Sequence, residues 1–217
     1  MTSRRSPKLN VRRLYQTLRR QYGAQRWWPA KAQGYEARCF EICVGAILTQ
    51  HTNWQNVERA LSHLRSTDSL SLERMVAMSR SRLAILIRPS GFFNQKAIKL
   101  KALTAFVKTQ YGGSFRRMFA ELTMVLRQQL LTVHGIGKET ADAILLYAGN
   151  KPIFVIDAYT KRFLAAQGVA FRAYDEYRWF FEKRLPRKVK LYQEFHALLV
   201  AHGKLDRPGK IQTNVVY

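Results

Sequence analysis

The residues able to do chemistry crowd between positions 131 and 160, which run from Leu-Thr-Val-His-Gly-Ile-Gly-Lys-Glu-Thr-Ala-Asp to Phe-Val-Ile-Asp-Ala-Tyr-Thr. Gly135 and Gly137 mark a tight turn, and glycine both accepts positive φ and lets an outside group approach the backbone. Leu122, Val125, Leu126, Gln129 and Leu130 recur at helical spacing before the turn, and Ala141, Ile144, Leu145 and Ala148 recur after it. The pattern predicts two short helices joined by a glycine hairpin. The second helix would point its unpaired N–H groups and dipole outward at the turn, a geometry suited to a phosphate. Lys138 adds a mobile cation there. A G-x-G turn by itself serves equally well in a plain αα-hairpin. The anion reading gains from the basic chain, from Lys138, and from a lone carboxylate, Asp157, that follows the apolar run Ile153–Ile156. Asp157 precedes Ala-Tyr-Thr-Lys, where capping a helix is its simplest role. That position also favours the ionised carboxylate.

Aromatic and polar residues elsewhere could join this chemistry. Trp27 and Trp28 are adjacent before Pro29, which disfavours helix at Trp28 and predicts an extended or turn segment. One ring could plug the core while the other lines a pocket. Thr49-Gln-His-Thr-Asn-Trp54 reads as a polar elbow between two helices, with Thr52 or Asn53 as the cap of the second. Cys39 and Cys43 lie four residues apart in an apolar run and read as small core hydrophobes. A metal site would need more ligands than these two.

The elements that must position these groups are helical. Leu14, Tyr15, Leu18 and Tyr22 outline a first helix ending near Gly23, and residues 35–50 an apolar one. Helical patterns follow at Val57–Leu64, over residues 70–88, from Phe92 to Val107, over 157–167, at Tyr174–Leu185 and at Leu191–His202. Only Ile153–Ile156 looks β-like, and it is too short to seed a sheet. The expected fold class is therefore all-α.

Composition bounds the function. The chain has 217 residues, 47% of them hydrophobic, and 37 Lys+Arg against 14 Asp+Glu give a formal charge of +23. That is a globular chain, not a disordered one. Its charge is spread along the sequence and points to a polyanion partner. It contains no run of about 18 apolar residues, and its first residues lack the apolar core of a signal peptide. A cytoplasmic protein is expected, nucleoid-associated if bacterial.

G-I-G-K-E-T-A-D-A-I-L followed by V-I-D-A-Y-T resembles the helix-hairpin-helix and catalytic-Asp signature of the endonuclease III superfamily of DNA glycosylases. Within that superfamily, W-W-P, L-T-Q-x-T-x-aromatic, R-P-S-G-F-x-N-Q-K-A and the late H-G-K are most similar to the 3-methyladenine DNA glycosylase III branch. The resemblance runs from about Trp27 to Lys204. It implies two helical lobes around a central cleft: residues 32–150 as a barrel ending in the hairpin, and residues 1–31 with 151–217 as a lobe carrying Asp157. It makes Asp157 the catalytic carboxylate and sets Trp27, Trp28, Pro29, Trp54 and Lys204 around the base pocket. Gln50, Gly135, Gly137, Lys138 and Thr140 would meet the DNA, with Gln50 filling the gap left by an extruded base. Lys96, Lys99, Arg116, Arg117 and Lys161 could line the phosphate path.

Two departures refine the expectation. Many relatives carry a four-cysteine iron–sulfur loop near the C-terminus, but no cysteine follows Cys43 here, so neither a cluster nor any other cofactor is expected. Bifunctional relatives place a Schiff-base lysine at the second residue after the last hairpin glycine; here that residue is Glu139. The expected protein is a monofunctional DNA glycosylase in base excision repair. It would release alkylated purines such as 3-methyladenine from double-stranded DNA, and a monomer suffices for one damaged site. The alternatives are a bifunctional glycosylase/lyase for damaged or mismatched pyrimidines and a non-enzymatic DNA-binding protein.

Overall fold

The computed structural model describes residues 9–205. Among them every regular element is helical, twelve α-helices with short 3₁₀ and π turns and no strand. The chain divides into two compact units, with boundaries after Trp27 and after Lys151. No helix among the described residues is long and apolar enough to cross a membrane.

Helix α1 (Val11–Tyr22) opens the unit built from the chain ends. The middle unit follows in chain order. It contains α2 (Tyr35–Leu48), α3 (Trp54–Ser66), α4 (Leu72–Ala77), α5 (Arg80–Leu86), a 3₁₀ turn at Arg88–Ser90, and α6 (Phe93–Tyr111). Then come α7 (Phe115–Ala120), α8 (Thr123–Thr132), α9 (Lys138–Ala143) and a π turn (Ile144–Ala148) that continues α9. The end unit resumes with α10 (Ala158–Ala166), α11 (Tyr174–Glu182) and α12 (Val189–Leu205).

Helix α2 is the middle unit's axis. Every residue from Cys39 to Leu48 is buried, and α3, α6, α7 and the π turn pack around it. Cys39 and Cys43 sit in that core, and burial pushes both thiols up, Cys39 to about 11. The predicted 70–88 helix is two helices, because Met78 is extended and the Ser79 side chain caps α5 by accepting from the Arg82 amide. Helix α7 carries no strong sequence signal. It is held by a distant residue, Glu36, whose carboxylate accepts from the Phe115 amide at 2.6 Å and from the Arg116 amide at 3.1 Å. Buried Glu41 likewise accepts from the amides of Lys31 and Ala32 and pairs with Arg65 at 3.0 Å, which anchors the stretch after Pro29.

In the end unit, α12 packs against both α1 and α10. Phe154 stacks on Phe181 with centroids 4.1 Å apart, and Tyr192 and Phe195 meet Phe154 edge-on. Ile153–Ile156 are buried but form no strand, since side chains take the backbone donors: Glu182 accepts from the Phe154 amide and the Tyr174 hydroxyl from that of Ile156.

Candidate functional site

The hairpin forms as the glycines predict, with α8 ending at Thr132 and α9 starting at Lys138. A buried ion pair locks the two helices together: Arg127 Nε lies 2.6 Å from Asp142 Oδ1, and Nη2 lies 3.0 Å from Oδ2. The two glycines do different jobs. Gly135 has φ +81, and a Cβ there would collide with the Lys99 stem. Gly137 has φ −88 and open space where a Cβ would point, so an outside group has room there. Lys138 and Glu139 are exposed beside it, and Thr140 is buried.

The elbow is tied to this hairpin. Gln50 Nε2 donates to the Gly135 carbonyl at 3.1 Å and to Thr140 Oγ1 at 3.0 Å, and Lys99 Nζ donates to Gln50 Oε1 at 2.6 Å. Gln50 and Thr140 therefore satisfy each other, and Lys99 braces them from α6. Asn53, not Thr52, caps α3, accepting from the Asn56 amide at 3.0 Å. His51 in the elbow has φ +53, and its ring lies 6.1 Å from that of Phe92.

Phe92 is the residue that sequence reading missed. It precedes α6 with φ +45 and is 70% exposed. An aromatic side chain held in a left-handed conformation and turned to solvent is strained and exposed at once, a combination that clusters at functional sites. The signal was the pair Phe92-Phe93 at a helix start, where a single face cannot bury both.

Structure also revises the phosphate-path lysines. Lys96 is 1% exposed, so it cannot meet a phosphate; it donates instead to the carbonyls of Leu48 and Ser90. The Lys99 ammonium is occupied by Gln50. Arg116 lies over the Tyr35 ring at 4.8 Å, and Lys161 lies 5.9 Å from Tyr174 and 5.8 Å from Tyr177, both with exposed flanks. Leu122 and Val125, expected on an apolar face, are 75% and 45% exposed, since the core of α8 is made by Leu126 and Leu130.

The tryptophan pair parts company at the unit boundary. Trp28 is buried in the middle unit, 5.3 Å from Trp54 edge-on and 5.3 Å from Tyr147. Gly45 makes room for it, since a Cβ there would come within 2.9 Å of the indole. Pro29 is exposed, and Trp54 is half-buried at the start of α3. Trp27 belongs to the end unit, where Lys204 Nζ sits 5.9 Å from its ring centroid. Gly203 beside Lys204 is required by the Tyr159 ring, and His202 Nδ1 is 2.8 Å from the Tyr22 hydroxyl.

Asp157 caps α10, accepting from the Thr160 amide at 2.7 Å. Its side chain is 13% exposed, and Oδ2 lies 3.5 Å from His196 Nε2 on α12. Burial pushes the Asp157 carboxyl up, but His196, by hydrogen bonding and charge, and Thr160 outweigh it, leaving the carboxyl below its ordinary value. The result is a mostly enclosed carboxylate held in the ionised form, able to stabilise a developing positive charge or take a proton from water. Among the described residues no cluster of His, Cys, Asp or Glu could hold a metal ion.

Comparison with known proteins bears on this geometry. The pattern of the HhH-GPD superfamily base excision DNA repair protein matches residues 44–187. A Methanocaldococcus jannaschii protein that carries the name of a DNA repair glycosylase is 44% identical over 197 residues, 89% of this chain and 87% of its own. The Helicobacter pylori 3-methyladenine DNA glycosylase, solved with 1,N6-ethenoadenine, superposes with a TM-score of 0.78 at 32% identity, over 92% of this chain and all of that one. An endonuclease III trapped covalently on DNA shares the fold with a TM-score of 0.77 at 16% identity, over 93% of this chain and 89% of its own. With the hairpin and the capped carboxylate both inside the matched span, this chain belongs to the HhH-GPD superfamily of base excision DNA repair proteins, a family of DNA glycosylases.

Proposed function

We propose that this protein is a monofunctional glycosylase that extrudes alkylated purines such as 3-methyladenine from duplex DNA and hydrolyses their N-glycosidic bond. The observation that carries the reading is Asp157, a nearly buried carboxylate kept ionised at a helix N-terminus by His196 and Thr160. Breaking the bond leaves oxocarbenium character on the sugar, which one fixed negative charge stabilises. The bond's electron pair departs with the base. An N3-alkylated purine is already cationic and leaves as a neutral molecule, so no strong acid need protonate it. Water adds to the sugar carbon, and its proton passes to Asp157 or to solvent. The product is an abasic site in an intact strand.

The substrate class rests on the aromatic residues and on the likeness to the 3-methyladenine enzyme. Trp28, Trp54 and Tyr147 form an electron-rich cluster, and Trp27 is a further indole beside Lys204. A cationic base gains about 1–2 kcal/mol from such a ring when water is excluded. Gly137 and Lys138 would receive a phosphate at the hairpin, and Phe92 with Gln50 would enter the duplex where the base leaves. Glu139, at the position where a Schiff-base lysine would stand, favours simple hydrolysis over strand cleavage.

Methylated duplex DNA incubated with wild type and with Asp157→Asn provides the test. Release of 3-methyladenine by the wild type alone, with strand breaks only after alkali and no adduct trapped by borohydride, is expected. A borohydride-trapped adduct would replace the proposal with a glycosylase/lyase. Tight DNA binding with no base release from either protein would reduce it to a DNA-binding role.

A further inference from the structure

Lys96 is the unexplained cost in the middle unit. Lysine is almost never fully buried unless paired, yet this one is 1% exposed in the first turns of α6. Its ammonium is satisfied by two backbone carbonyls, Leu48 O at 2.8 Å and Ser90 O at 2.6 Å. A leucine or methionine would fill this space without a charge to desolvate, but it would orphan both carbonyls.

The two carbonyls are not arbitrary. Leu48 is the last residue of α2, and two residues further on stands Gln50. Ser90 closes the 3₁₀ turn, and two residues further on stands Phe92. Both segments hold a non-glycine residue at positive φ, His51 at +53 and Phe92 at +45, with their rings 6.1 Å apart. Such conformations persist only where the surroundings over-determine them. One helical turn along α6, Lys99 grips Gln50 in the same elbow. Burial, and then repulsion from Lys99, lowers the Lys96 ammonium to about 8, so the neighbourhood tolerates this cation rather than attracting it. What the ammonium supplies is a rigid link between two protruding segments.

We infer that Lys96 is a positioning residue for base extrusion, clamping the α2 terminus and the Ser90–Phe92 turn so that Gln50, His51 and Phe92 enter DNA as one preset unit. The inference rests on the glycosylase reading proposed above. It assigns Lys96 no contact with DNA and no part in bond cleavage.

The test compares wild type with Lys96→Met and Lys96→Gln on a methylated duplex carrying 2-aminopurine beside the methylated adenine. Single-turnover base release and the fluorescence rise on unstacking are read together, and the affinity for undamaged duplex is measured separately. Expected are a fall of roughly tenfold or more in both release rate and fluorescence amplitude, for folded variants with unchanged affinity. Expected too is a non-additive cycle, with Lys96→Met/Phe92→Ala no slower than Phe92→Ala alone. Unchanged rates in whichever variant folds, or losses that simply add to those of Phe92→Ala, overturn the inference. Should the wild type unstack the reporter but release no base, the glycosylase reading fails and the fluorescence comparison still decides the role of Lys96. A wild type that does neither sinks both.

Discussion

At the scale of single residues, the proposed chemistry turns on Asp157. Asparagine caps a helix about as well as aspartate, so Asp157→Asn removes the charge and keeps the cap. Base release should fall by about 10²–10⁴-fold, the range for losing one positioned acid–base or electrostatic group. Because the folded carboxyl lies below its ordinary value of about 3.9, ionisation is favoured by folding. That stabilisation is present above the unfolded value and disappears as pH falls through the folded one. Thermal melts should therefore show Asp157→Asn less stable than wild type at pH 7, with the gap closing below about pH 4. The cysteines give a second check. Both are buried with raised thiols, so a thiol reagent at pH 8 should label neither in the native protein and both in denaturant.

At the scale of elements, the two glycines of the hairpin meet different surroundings. Gly135→Ala must place a methyl against the Lys99 stem at positive φ, and a loss of about 1–3 kcal/mol in urea unfolding is expected. Gly137→Ala meets open space at a permitted φ. It should change stability by no more than about 0.5 kcal/mol while weakening duplex binding, because the methyl stands where a phosphate would approach. Arg127 and Asp142 present the opposite case. Removing one partner strands a buried charge and should cost about 3–5 kcal/mol, most of it recovered when both are replaced by apolar residues. Lys96 has its own signature. Its folded value of about 8 lies below that of an unfolded lysine, so the unfolded chain holds more protons between those values. Wild-type stability should rise relative to Lys96→Met as pH increases from 8 toward 10, measured by paired urea titrations.

At the scale of the whole molecule, the formal charge is +23. Much of the acid is turned inward or spent: Glu36 and Glu41 on backbone amides, Asp142 on Arg127, Glu182 on Arg178 and Phe154, Glu194 on the Gln25 amide. Exposed cations such as Arg12, Arg13 and Arg20 lie in a stretch that holds no Asp or Glu before Glu36. Affinity for undamaged duplex should fall steeply and linearly in log–log form with salt. Lys138→Ala should lower that slope by about one without changing which base is released. An unchanged slope would remove Lys138 from the phosphate contacts.

Features that depend on neighbouring residues were legible in the chain itself. Helical periodicity set the all-α class, the glycine pair set the hairpin, Asp157 announced its cap, and the α3 cap was narrowed to Thr52 or Asn53, because each depends on a few successive residues. The Gly-x-Gly pattern did not say that Gly135 serves Lys99 while Gly137 faces open space, since that requires α6 to lie beneath the turn. The residue type of Lys96 argued for the surface, because desolvating an ammonium is unfavourable. Only the folding together of α2 and the Ser90 turn supplied the two carbonyls that make its burial tolerable. The exposure of Phe92, the engagement of Gln50 and the separation of Trp27 from Trp28 likewise followed from which surfaces the rest of the core had already filled. Local propensity depends on near neighbours and is written along the sequence, whereas burial depends on partners that only tertiary packing brings into reach.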